Sequence, residues 1–302
     1  MESNLSSQAS EKLTKNFLIE FADRIQHQRT LREVKRLFPL IVEKMWTESS
    51  QYNPPVNLEP IAKLRKMHTF IKIPRDNHGK LVPDSDGFKI YLSDKDPLNL
   101  QRVTIAHEIG HTLFFNLSSS PPSRSPRKNV SNIIQDKEEW LCYDFARELL
   151  MPTSKSLKLL QHNYRRPSME GLYEIARIFQ VSLDVVCWRI FRDFRLWQDA
   201  AVFFISSNAD PLIVKKKYIY RGEKIKKRNI QIRQFLKNHE ISTTIKYTFT
   251  HPNSEKSVHF LVNNTVFSFH VKNVKKGPYQ KVCMIIDESG GKSCTTLNDF
   301  DN

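Results

Sequence analysis

The chain has 302 residues, a mass of 35.5 kDa and a formal net charge of +15 at pH 7, with a pI near 9.6. Hydrophobic residues make up 39% and aromatic residues 11%, which supports a real core and excludes wholesale disorder. Only eight glycines and no internal repeat argue against a loop-rich or solenoid architecture.

In chain order, residues 1 to 12 read as a polar start. Two helices follow, the first from Leu13, Phe17, Phe21 and Ile25, the second from Leu31, Val34, Leu37, Ile41 and Met45 at helical spacing. Ser49 to Pro55 is a loop, and Ile61 to Met67 a short helix. Phe70–Ile73 and Gly87–Ser93 read as strands, with Asn77-His78-Gly79 as a turn between them.

Asp96-Pro97-Leu98-Asn99 opens a helix that carries His107-Glu108-Ile109-Gly110-His111. Residues four apart lie on one helical face, so His107 and His111 can converge on one metal ion. Glu108 then points beside the metal, where it can take a proton from a bound water. This is the H-E-x-x-H arrangement of zinc peptidases. A catalytic zinc needs a third protein ligand and one open position. Ser118 to Arg127, rich in serine and proline, is expected to be a surface loop near the cleft. Beyond it, Glu138 to Leu150 reads as a helix ended by Pro152, with Trp140, Cys142, Phe145, Ala146, Leu149 and Leu150 as its buried face.

The two-part pattern, His107-Glu-Ile-Gly-His111 followed by Glu139-x5-Phe145-Ala146-x-x-Leu149-Leu150-Met151-Pro152, resembles the ImmA/IrrE family of metallopeptidases. Pro55 to Ala62 is similar to the segment before that family's first strand. Leu172 to Ile190 is similar to the helical pair after its Leu-Leu-Met-Pro. The resemblance covers roughly residues 30 to 197. It implies a zincin whose substrate is a protein partner such as a transcriptional repressor. Carried over by position, the metal ligands are His107, His111 and Glu139, the catalytic base is Glu108, and the metal is Zn²⁺. Glu138 is the residue that a one-residue slip would select instead. Cys142 is expected to be a buried apolar residue. Phe88 to Leu92 is the candidate strand for a substrate added edge-on. Tyr143, Arg147, His162 and Tyr164 are candidates, by type and nearness in sequence, for a donor to the developing oxyanion.

The turn at Val181-Ser182 gives residues 176 to 189 a superficial helix-turn-helix look, but packing on the catalytic domain is preferred. From about 200 to 290 the texture changes. Ala201–Ile205, Ile213-Val214, Thr244–Phe249, Val258–Val262, Thr265–Val271 and Lys281–Ile286 read as strands, with a helix at Asn229 to Lys237 and a hairpin turn at Asn263-Asn264. Lys215 to Lys237 holds ten Lys or Arg against one acid, Glu223. That run is a nucleic-acid surface, a solvated basic face or a surface for an acidic partner.

Taken together, an α+β fold is expected: residues 1–30 a polar start and helix, 31–197 a helix-rich zincin-like domain with a small sheet, and 198–302 a basic α+β domain. The four cysteines (Cys142, Cys187, Cys283, Cys294) are widely spaced without a C-x-x-C pair. No signal-peptide core and no run of about eighteen apolar residues is present. A cytoplasmic protein with reduced thiols and no membrane contact is the expectation. The function expected is a zinc-dependent endopeptidase; a DNA-binding regulator with a structural or vestigial zinc site is the competing reading.

Overall fold

The computed structural model describes residues 30–74, 79–124, 137–197, 200–205, 214–219, 239–251, 255–262, 265–273 and 281–287. The fold is α+β, as expected. It divides into two compact units, residues 1–158 with 178–182, and 159–177 with 183–302. No helix among the described residues is long and apolar enough to cross a membrane.

The first unit begins with helix α1 (Leu31–Glu48). Thr30 and Glu33 form a reciprocal capping box, each side chain accepting from the other's backbone N–H, at 3.2 and 2.9 Å. Helix α2 runs over Leu58–Leu64 and is capped by Asn57, whose side chain accepts from the Glu59 N–H at 3.1 Å. It starts three residues earlier than expected, because Pro60 falls in the first turn, where no backbone N–H is needed. Met67 instead opens strand β1 (Met67–Ile73). Strands β2 (Gly79–Asp84) and β3 (Gly87–Ser93) complete a three-stranded sheet in the order β1-β3-β2, with β1 parallel and β2 antiparallel to β3.

This topology corrects one expectation. Phe88 to Leu92 lies on the central strand, paired on both sides, so it has no edge to offer a peptide. The edges belong to β1 and β2, and the sequence reading missed β2. Its Gly-Lys-Leu-Val-Pro-Asp run does not alternate, and Pro83 cannot donate to a ladder, a combination tolerated only at a sheet edge.

Helix α3 (Leu98–Thr112) packs against the sheet through β2 and β3 and most extensively against helix α4 (Glu138–Leu150). Between them, β4 (Phe115–Asn116) and β5 (Ser123–Arg124) form a two-residue ladder that pairs Phe115 with Arg124. Part of the expected serine-rich loop is therefore a small hairpin.

Gly110 sets the α3–α4 contact: a Cβ there would sit 3.1 Å from the Cys142 Cα, so any side chain would push the helices apart. Leu141, Cys142, Phe145, Ala146, Leu149 and Leu150 form the buried face of α4. Trp140, expected inside, is 39% exposed with the Lys35 ammonium 3.5 Å above its ring. Two long-range contacts tie α4 to α1. Phe38 meets Phe145 edge to face at 5.5 Å, and the Trp46 indole donates to the Leu149 carbonyl at 3.2 Å.

At the C-terminal end of α3, the wholly buried Arg65 guanidinium donates to Thr112 Oγ1 at 2.9 Å and to its carbonyl at 2.7 Å. A cation there complements the helix dipole. Burial lowers the Arg65 pKa to about 9. Arg102 fastens the other side of α3, donating to the carbonyls of Val56 and Gln180.

Helices α5 (Thr153–Asn163), α6 (Met169–Phe179) and α7 (Leu183–Trp188, continued by a π turn over Arg189–Asp193) follow. Buried Glu148 accepts from the Thr153 backbone N–H and hydroxyl and so closes the start of α5. The second unit holds strands β6 (Ala200–Ile205), β7 (Val214–Ile219), β8 (Glu255–Val262), β9 (Thr265–Asn273) and β10 (Lys281–Asp287). They form a five-stranded antiparallel sheet in the order β7-β6-β10-β9-β8.

Helix α8 (His239–Thr250) packs on β8 and β9. Thr244 to Phe249 had read as a strand. Its β-branched residues favour one, but Ile241, Ile245 and Thr248 are buried at helical spacing, and that packing decides the conformation. Val262 pairs with Thr265, on either side of the two residues expected to turn. Those two residues, the helix expected at 13–25, the helix expected at 229–237 and most of the basic run lie outside the described residues.

Candidate metal centre

Helix α3 presents His107 and His111 one turn apart, and α4 brings Glu139 to meet them. His107 Nε2 and His111 Nε2 are 3.1 Å apart. Glu139 Oε2 lies 3.2 Å from His107 Nε2, and Oε1 lies 3.2 Å from His111 Nε2. Ligands held tetrahedrally at zinc distances are separated by roughly 3.3 Å, so this triangle has the dimensions of one face of such a site. All three sequence-predicted ligands are brought together.

The donor chemistry also fits a cation. His111 Nδ1 is 2.8 Å from Glu138 Oε1. A carboxylate only accepts, so the proton sits on Nδ1 and the Nε2 lone pair faces inward. His107 Nε2 at 3.1 Å and Glu139 Oε1 at 3.2 Å then face it, and lone pairs facing one another repel unless a positive charge lies between them.

Glu138 and Glu139, adjacent in sequence, therefore do different things. Glu139 is 73% exposed and reaches both Nε2 atoms. Glu138 is 12% exposed and sits on the far nitrogen of His111, where it also accepts from Arg124 Nη1 at 2.8 Å. It orients the imidazole and fixes its tautomer.

Burial pushes the His107 pKa down to about 4, aided by the neighbouring His111 and opposed by Glu139. Burial pushes His111 down too, but the Glu138 hydrogen bond and the charges of Glu108, Glu139 and Glu138 outweigh it and raise the pKa. For Glu108, burial raises the pKa, partly offset by His111 and by a hydrogen bond from the Leu81 backbone N–H. Strand β2, an outer strand of its sheet, lies against α3. Gly79 permits this approach, since a Cβ there would lie 2.3 Å from Thr104 Cγ2.

The cleft above the site has a volume of about 380 Å³. Its walls include Leu81 of β2, Leu100 and Val103 of α3, Phe115 and Arg124 of the hairpin, and Tyr143 of α4. Among the predicted oxyanion donors, Tyr143 stands in the cleft, its ring 4.2 Å from that of His107. Arg147 is paired with Asp144, and His162 and Tyr164 belong to the second unit. Cys142 is buried, and burial holds its thiol well above the usual range, as a packing residue requires. The sequence reading missed Arg124 and Gly79. The first stands within the serine- and proline-rich stretch Ser118 to Arg127, which gave no periodic signal. The second was read as part of a turn.

No curated protein matches the chain. A solved structure described as a Mycobacterium tuberculosis transcriptional regulator is similar in fold, with a TM-score of 0.51 at 13% identity, covering 89% of this chain and 80% of that one. The family model described as the IrrE N-terminal-like domain, peptidase M78, matches residues 69–191. That span runs from β1 to the π turn after α7 and contains both halves of the His-Glu cluster, so the matched segment, residues 69–191, resembles an IrrE N-terminal-like domain of the peptidase M78 family.

Proposed function

We propose that the chain is a zinc-dependent endopeptidase acting on a specific protein partner, a transcriptional repressor being the expected class. The observation that carries the reading is the triangle of His107 Nε2, His111 Nε2 and Glu139 oxygens at 3.1 to 3.2 Å, with Glu108 beside it in an open cleft. His107, His111 and Glu139 would hold the ion. Zinc, when bound, acidifies a water and polarises a carbonyl. Glu108 accepts the proton of the attacking water and returns it to the leaving amine. Burial raises its pKa, the direction that helps a general base to hold the proton it has taken. The open edge of β2 can align an extended peptide by backbone hydrogen bonds. Tyr143 is the residue that can donate to the carbonyl oxygen as charge develops.

Metal analysis on the purified chain tests the site. About one zinc per wild-type chain, largely lost in Glu139→Ala, is expected. A folded wild type with no tightly held metal sinks the proposal. Glu108→Gln is expected to keep the metal and lose cleavage.

The competing reading, a DNA-binding regulator with a structural or vestigial metal site, draws on the +15 charge and on the fold likeness to a protein described as a transcriptional regulator. Structural zinc sites are closed sets of four ligands, usually rich in cysteine. Three donors open to a cleft favour the enzyme.

A further inference from the structure

We infer that Arg124 is a specificity residue that receives a carboxylate of the bound peptide, so that acidic sequences beside the cleaved bond are selected. The inference rests on the peptidase reading of the cleft and names its substrate class.

Besides the histidines, the cleft is lined by four charged side chains: Glu108, Glu139, Lys80 and Arg124. The two acids are assigned to proton transfer and metal binding. The two cations have no part in the chemistry. Lys80 stands on the edge strand and has no salt bridge among the described residues.

Arg124 is held in place and only partly used. Its Nη1 donates to Glu138 Oε2 at 2.8 Å, its guanidinium lies 5.2 Å from the centre of the Phe115 ring, and its backbone is paired with that of Phe115. Among the described residues one donor of five is committed, and the side chain is 47% exposed. A guanidinium fixed on one side with its remaining N–H groups in a cleft is preorganised for a planar carboxylate.

The position of Arg124 gives the cleft a direction. Leu100 and Val103 line it near the start of α3, while Arg124 lines it beside Glu138, the partner of His111, which lies roughly 16 Å along the helix axis from Leu100 at 1.5 Å per residue. Apolar side chains of α3 thus stand towards one end and Arg124 towards the other. An extended peptide lying along β2 would put apolar side chains towards Leu100 and an acidic one, or its own C-terminal carboxylate, at Arg124.

Binding separates this idea from catalysis. The zinc-loaded Glu108→Gln chain is titrated by fluorescence anisotropy with labelled peptide pools carrying Glu, Gln or Lys at the positions flanking a fixed central pair. Each pool is made with a free and an amidated C-terminus. Glu pools are expected to bind about tenfold tighter than Gln pools, the size of a partly exposed charge-assisted hydrogen bond. Adding Arg124→Gln abolishes the preference, Arg124→Glu turns it towards Lys, and Arg124→Lys keeps part of it. Zinc content is measured on each variant, so that loss of the site is not mistaken for loss of specificity. A Glu-over-Gln preference that survives amidation assigns the side-chain carboxylate; Arg124-dependent binding that amidation removes, equal for Glu and Gln pools, assigns the C-terminus. Equal binding of Glu and Gln pools that amidation leaves unchanged, binding of none, or binding unchanged by Arg124→Gln in a metal-replete chain overturns the inference. Arg124-dependent binding by a zinc-loaded wild type that cleaves no pool keeps the inference and overturns the peptidase reading.

Discussion

Glu138 and Glu139 differ by one position on a helix and so project about 100° apart. One turns to the metal donors, the other to the back of His111. Their substitutions should separate accordingly. Glu139→Ala is expected to abolish stoichiometric zinc binding. Glu138→Gln keeps a hydrogen-bond partner for His111 but loses the charge, and should weaken zinc affinity by about 10- to 100-fold, the usual effect of an outer partner. Competition with a chelating dye measures both, and equal effects would refute the division of roles. For Glu108→Gln, a drop of about 10² to 10⁴ in kcat at unchanged zinc content is expected if it moves the proton. The H-E-x-x-H helix was legible because a four-residue spacing dictates a shared face. The choice between Glu138 and Glu139 needed the family resemblance, since both side chains begin near the metal and only the packed structure shows which nitrogen each reaches.

At the scale of elements, the site depends on how closely α3 can lie against α4. Gly110→Val places two methyl groups where 3.1 Å is already taken by the Cys142 backbone. It should cost about 1–3 kcal/mol of stability and weaken zinc binding together, because Glu139 recedes with its helix. Chemical denaturation and zinc titration of the same variant check this; a loss of stability with metal affinity intact would show that the helix spacing does not govern the site. The helices were the more readable elements. Their apolar faces repeat at helical spacing, and Pro152 marks an end; the caps at Thr30 and Asn57 became visible only in the structure. Strand β2 was not readable, because six residues with one proline carry no alternation, and its edge role follows from pairing with β3, not from its own composition. In α8, a run of threonines and aromatics pointed to a strand until burial of Ile241 and Ile245 against the sheet overruled it.

For the whole molecule, every proposed metal donor lies in the first unit. Zinc should therefore act as a ligand of that unit's folded state. At a hundredfold excess over Kd it would add about 2.7 kcal/mol. Differential scanning calorimetry with and without a chelator should show a metal-dependent transition, and an identical thermogram in both would contradict a site of that affinity. The net charge of +15 acts at longer range. It raises the local concentration of acidic partners at low ionic strength and does so less as salt screens it.

Pro83 stands in the middle of the last half of β2, on the strand whose edge is open. It interrupts the row of N–H donors after Val82, so only a few residues of an incoming chain can pair there. Two copies of the protein that met along this edge would find too short a ladder to stay together. A peptide that is also gripped by the cleft would still be aligned. The same proline thus guards the solution state: at high concentration the chain should resist sheet-to-sheet polymerisation, and a variant with valine at this position should be the first to form fibrils.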